Sequence, residues 1–302
     1  MMNLSTLKTL FLTTVFMLFG CLVIQAADDG LITKQITIKL DEAGTLPTRI
    51  GSSKKYQITN LKIVGEVNST DWRFIREMAG RDYNRNETGG NLSILDLSDA
   101  KIVLGGFSYV DRGFNDNDKL GNYAFEGCSG LTSLTIPSSV ISIGNYAFEG
   151  CSGLISLTIP SSITSIGYSA FSGCSGLTSL TIPSSVTRID ELAFYGCSGL
   201  TSIYVYPEKV PILGTGIFSR CNAKNCTVYV PTGTYDDYWL SEFGYFENIV
   251  EFDATGIDKV TISTDAKELS RYSVNGQRLS APAKGLNIVK YSDGSVKKVV
   301  VQ

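Results

Sequence analysis

The chain has 302 residues, a net charge of −3 and no histidine. The missing imidazole excludes Ser-His-Asp and Cys-His catalysis, histidine-ligated zinc and the commonest proton shuttle. Between Gly127 and Thr187 the one charged residue is Glu149, so this stretch has almost no field with which to attract nucleic acid or anionic lipid.

Residues 1–27 combine Lys8, an apolar run from Leu10 to Ile24 and the small residues Ala26 and Ala27. This is the pattern of a secretory signal with cleavage near Ala26, and the run falls short of the ~20 residues a membrane span needs. Leu18-Phe-Gly-Cys21 is similar to a bacterial lipobox, which implies a lipid on Cys21 and a tethered chain. Release and tethering both stay open. Residues 28–90 are expected to form an N-terminal cap. Leu31 to Leu40 alternates with period two as a half-buried strand does, and Tyr56 to Val67 reads as another. Ser69 or Thr70 then caps a short helix closed by Gly80, with Phe74, Ile75 and Met78 on one face.

Leu92-Ser-Ile-Leu-Asp-Leu begins a series of short strands over residues 91–231. Arg81 to Gly90 and Gly105 to Lys119 read as insertions between its members. The second insertion holds Phe107, Tyr109 and Phe114 beside Asp111, Asp116 and Asp118, which makes the three aromatic residues candidate contacts. Its Asn and Asp residues lack the Gly and distal Glu of a calcium loop, so no metal and no cofactor are expected.

From Gly121 one sentence is written four times with a period of 23. Cys128, Cys151, Cys174 and Cys197 mark it, as do Phe125, Phe148, Phe171 and Phe194, each preceded by Ala. A fixed period in the twenties means a solenoid whose core exists only between neighbouring coils. Each coil offers one short strand with L-x-x-L-x-L spacing, as in Leu154-Ile-Ser-Leu-Thr-Ile, ended by a proline such as Pro160. With the leucines inward, Ser133 and Thr135, Ser156 and Thr158, Ser179 and Thr181, then Ser202 and Tyr204 face out. They form a candidate binding row, which an exposed strand face also explains without any partner. The cysteines are expected to be buried, unpaired thiols, because in-register neighbours have parallel Cβ vectors that suit a disulfide poorly. Cys221 and Cys226, outside that rung, are the one plausible pair.

The unit A-F-x-G-C-S-G-L-T-S-L-T-I-P-S-S-V resembles the BspA-like leucine-rich repeat family of bacterial surface proteins. The resemblance implies a right-handed α/β-type leucine-rich repeat solenoid with a parallel sheet of short strands, few helices and a cap at each end. It also implies an adhesive, non-enzymatic role. Ser139, Ser162 and Ser185 stand where that pattern commonly has an Asn rung, which puts the usual Asn-capped turn in question.

After Pro207 the copies drift: Phe218 and Cys221 come 24 residues after their counterparts, and Cys226 to Pro231 is a last strand. Residues 232–253 are expected to cap the solenoid, with a helix from Thr234 whose Trp239 and Phe243 cover the last rung. From 254 to 302 short alternating strands, with turns at Asn275-Gly276 and Asp293-Gly294, read as a small all-β unit. This unit resembles the C-terminal sorting domains of Bacteroidetes secreted and surface proteins.

The resulting expectation is an exported, monomeric, non-enzymatic protein, secreted or attached to the outer surface, with extracellular host or bacterial proteins as partners. Neither nucleic acid nor a membrane span figures in it. The alternative is glycan capture by Tyr204, Tyr206 and the aromatic residues of the insertion.

Overall fold

The computed structural model describes residues 30–111, 113–254, 268–273, 278–279, 281–282, 285–291 and 296–301. The leader with Cys21 and the two proposed turns at Asn275-Gly276 and Asp293-Gly294 lie outside the described residues.

The N-terminal block is built on the sheet it closes. Strands β1 (Ile36–Leu40) and β2 (Asn60–Val67) pair in parallel with each other and with β3 (Ile94–Ile102). The first is shorter than the alternation from Leu31 suggests; Ile32 makes only an isolated bridge to Ile58. Helix α1 (Leu46–Ile50), which the sequence reading does not contain, starts at a proline-bearing first turn and buries Leu46 and Ile50. Helix α2 (Ser69–Met78) is capped by Asn68 rather than by Ser69 or Thr70: Asn68 Oδ1 accepts from the Thr70 N–H, and Asp71 accepts from the Asn68 N–H. Asp71 also accepts from the Leu46 N–H at 2.9 Å, so one carboxylate closes two helix starts. The face that α2 buries includes Trp72 and Arg76 as well as Ile75 and Met78, whereas Phe74 is only part-buried.

Along the solenoid each coil contributes two strands, not one. The first set is β5 (Ser133–Thr135), β7 (Ser156–Thr158), β9 (Ser179–Ile182), β11 (Ser202–Val205) and β13 (Thr227–Pro231). The second set, of two residues each, is β4 (Lys119–Leu120), β6 (Ser142–Ile143), β8 (Ser165–Ile166), β10 (Arg188–Ile189) and β12 (Ile212–Leu213). The second set carries no sequence signal because its pattern, one buried residue beside a part-buried one in strands such as β6 and β8, is too short to show a period. All pairings in both sets are parallel. The first runs as β1-β2-β3-β5-β7 and, beyond, β9-β11-β13-β14, where β14 is Asn248–Phe252.

The third side of each coil is a turn rather than a helix. It uses left-handed backbone twice, at Tyr123, Tyr146, Ser169 and Leu192 and again at Gly127, Gly150, Gly173 and Gly196. The last coil reverses the residue types, with Gly216 at the first place and Arg220 at the second. Turn N–H groups donate to the next coil's carbonyls: Phe125 to Ala147 at 2.6 Å, Phe148 to Ala170 and Phe171 to Ala193 at 2.7 Å.

Inside, the repeated side chains fall on their own kind. Phe125, Phe148, Phe171, Phe194 and Phe218 stack with centroids 4.9 to 5.7 Å apart and rings within 11° of parallel. Trp72 closes the stack at one end, and Phe243 with Phe246 closes it at the other. Trp239 does not cover the last rung as expected. It is 44% exposed and stacks on Tyr235, because helix α3 (Tyr235–Trp239) turns Tyr238 inward instead. The far unit is antiparallel, in the order β16 (Arg278–Leu279), β15 (Glu268–Ser273), β17 (Gly285–Tyr291), β18 (Val296–Val301).

Candidate binding surface

The outward residues of the first strand set form register rows. Ser133 pairs with Ser156 and Thr135 with Thr158; further along, Ser179 pairs with Ser202 and Thr181 with Tyr204. Thr158, Ser179 and Thr181 are exposed, and Ser133, Thr135, Ser202 and Tyr204 are part-buried. Between these residues lie Leu134, Leu157, Leu180 and Ile203, all buried, so the alternation expected of the face is present in each coil. The side chains also tie the coils together. Ser202 Oγ donates to Ser179 Oγ at 3.0 Å, and at the strand entry Thr201 Oγ1 donates to the Thr178 carbonyl at 3.0 Å.

Two different walls bound this hydroxyl floor. On the N-terminal side Thr135 pairs with Asp96, where Lys62 Nζ bridges Asp96 at 3.1 Å and Asp99 at 2.7 Å. Hydrogen bonds to Asp99 and then Asp96 hold the Lys62 ammonium above its ordinary pKa, so it stays charged and occupied. On the C-terminal side Tyr204 is in register with Tyr229, rings 4.6 Å apart and 7° from parallel, and Phe252 stands edge-on to Tyr204 and Tyr206. Beside Tyr206 an open depression of about 420 Å³ is lined by Ser184, Tyr206, Glu208 and Ala254. Tyr229, Phe252 and Glu208 were not singled out from sequence. Tyr229 was legible in the alternation Thr227-Val-Tyr-Val; Phe252 reaches the wall only through the pairing of β13 with β14.

The insertion divides. Phe107 is 76% exposed and Phe114 55%, while Tyr109 is fully buried and is no surface contact. Its hydroxyl donates to the Asn122 carbonyl at 2.8 Å and lies 3.3 Å from that of Phe114. Burial pushes that phenol far above its ordinary pKa, so it remains a donor. The structural reason is the solenoid's polarity. The first coil's turn has no preceding coil to supply N–H groups to the Asn122, Ala124 and Glu126 carbonyls. Tyr109 meets the first, Trp72 Nε1 (3.1 Å) and Arg76 (3.2 Å) the second, and Arg76 (3.4 Å) the third. At the other end the open groups are donors, and the Glu242 carboxylate accepts from one of them, the Gly216 N–H, at 3.0 Å.

The rung cysteines do no surface chemistry. All six from Cys128 to Cys226 are buried and free, including Cys221 and Cys226. Cys151, Cys174 and Cys197 donate to the Phe carbonyl one coil back at 3.0 to 3.2 Å. Burial pushes the Cys128 thiol up to about 11 and Cys151, Cys174 and Cys197 well above their ordinary value. Serine replaces the Asn rung by the same device, since Ser162 and Ser185 hydroxyls donate to the Val140 and Ile163 carbonyls at 2.6 Å. Among the described residues no group of three or more acidic or Cys side chains is placed to hold a metal.

Residues 118–241 match the model of the BspA type leucine rich repeat region, in six copies. The solenoid is a leucine-rich repeat. Solved structures similar to this leucine-rich repeat chain include the pneumococcal vaccine antigen PcpA, at 15% identity and TM-score 0.38, over 64% of this chain and 57% of that one. A T. pallidum leucine rich repeat protein matches at 17% and 0.32, over 63% and 77%. A leucine rich cell surface protein of Faecalibacterium prausnitzii matches at 21% and 0.31, over 65% and 54%. The chain therefore spans little more than half of the first and third of these. No curated protein matches it. Among the described residues no helix is long and apolar enough to cross a membrane.

Proposed function

We propose that this leucine-rich repeat chain is an exported, non-enzymatic binding module that recognises extracellular proteins, of a host or of neighbouring bacteria, through the outward strand face. The observation that carries the reading is the face itself. It is a surface of Ser and Thr in two parallel ladders, Ser133 to Thr158 and Ser179 to Ser202, without charge and backed by the buried rungs. Solenoids use such extended sheets for recognition. The secretory pattern of residues 1–27 and the sorting-like sequence of 254–302 support an address outside the cell, with Cys21 as a lipid site if the chain is tethered. In this layout residues 28–90 and 232–253 close the ends of the repeats at 91–231, and the chain works as a monomer.

Pull-down against extracellular-matrix and cell-surface proteins tests this. A partner whose capture is lost on Thr158→Glu supports the reading. Turnover on a substrate panel with no captured protein overturns it.

A further inference from the structure

We infer that the C-terminal end of the outward face is a site for a neutral saccharide, with the Tyr204 ring as its stacking surface. The Tyr204 and Tyr229 rings lie parallel and 4.6 Å apart, which is the spacing of neighbouring strands. Their normals therefore run across the sheet. Tyr229 covers one face of Tyr204. The other looks over Thr181, its register partner on the opposite side, whose side chain is too short to cover an aromatic ring. Phe252 stands edge-on to both Tyr204 and Tyr206 and holds the wall upright.

What lies two residues further along, at Tyr206, selects the ligand. The depression beside Tyr206, about 420 Å³, lies within the ~300–1,000 Å³ range of small-ligand sites. Its lining brings the Glu208 carboxylate and the Ser184 hydroxyl next to Tyr206, the member of the aromatic wall two residues on from Tyr204. A saccharide presents an apolar C–H face to stack on a ring and vicinal hydroxyls to donate to a carboxylate. An anionic sugar would meet Glu208 with like charge, and the adjoining Ser and Thr floor offers no cation to offset it. Repeat logic shows that the wall is not demanded by the fold. The equivalent residues of the preceding coils are Thr135, Thr158 and Thr181, and Tyr enters at this place only with Tyr204.

This site is independent of the protein-binding reading, which rests on the central floor; a Thr158 variant affects one and a Tyr204 variant the other. The test is calorimetry of the full chain with neutral hexasaccharides of glucose, xylose and mannose, and with sialyllactose as the charged probe. Binding of a neutral hexasaccharide is expected, weakened at least about tenfold by Tyr204→Thr, which restores the residue of the neighbouring coils and keeps the fold. Glu208→Gln is expected to weaken it as well with thermal unfolding like the parent's, while Tyr204→Thr, which gives up ring contacts with Tyr229 and Phe252, is expected to melt only a few degrees lower and still cooperatively. Three results overturn the assignment: no probe binds, only sialyllactose binds, or neutral binding survives Tyr204→Thr.

Discussion

Cys174 shows what a single rung residue contributes. In an acceptor-free apolar stack a hydroxyl at this place would cost about 1–3 kcal/mol, but the Phe148 carbonyl lies 3.2 Å from the sulfur. Cys174→Ser is therefore expected to cost less than about 1 kcal/mol, because its hydroxyl keeps an acceptor. Cys174→Ala leaves a void and is expected to cost at least as much. Urea unfolding of the two variants checks the order, and a Ser variant clearly weaker than Ala would show that the carbonyl is out of reach. The same thiols set a pH limit. Their folded pKa values are raised by burial above the ordinary 9.0, so the folded state holds its protons longer than the unfolded state does. The stabilisation is whole below pH 9 and is lost as pH rises toward 11 and beyond, at about 1.4 kcal/mol per pH unit for each thiol. Urea midpoints at pH 8, 10 and 11 should fall in that order, and less steeply in Cys174→Ala.

At the scale of elements, the ends of the repeat are where periodicity stops being informative. The phenylalanine and cysteine rungs were legible because each recurs every 23 residues, and the outward Ser and Thr positions followed from strand alternation. Trp72, Arg76 and Tyr109 carry no such mark. Their shared task is to supply hydrogen-bond donors to the first coil, and it exists only once the chain has folded so that residues 13 apart, for Tyr109, and 47 to 52 apart, for Trp72 and Arg76, meet. Tyr109 looks like a surface aromatic in the sequence for this reason, and of the two residues expected to cover the last rung, Trp239 and Phe243, only Phe243 does so, with Phe246 beside it. Tyr109→Phe keeps the ring and removes one donor, so a loss of about 1 kcal/mol is expected. Arg76→Met unmasks bonds to Tyr123, Ala124 and Glu126 together, and about 2–4 kcal/mol is expected. Equal melting temperatures for the two variants would contradict a donor cap.

Across the whole molecule, the rungs make one continuous core from Leu40 to Ile249, whereas β15 to β18 form a sheet of their own that pairs with no other described strand. Removal of residues 255–302 is thus expected to leave the unfolding midpoint of the remaining chain within a few degrees. A collapse of that midpoint would show that the solenoid depends on the far unit. Function was legible only as far as the fold: the sequence of a repeat says which side faces out, but not what that side meets. The most direct measurement is a charge scan with a captured extracellular protein, comparing Thr158→Glu and Thr181→Glu on the long strands with Ser142→Glu and Ser165→Glu on the short ones. Affinity is expected to fall about tenfold or more for the first pair and to stay unchanged for the second. Loss confined to the short-strand variants would place recognition on the other sheet and contradict the outward-face assignment.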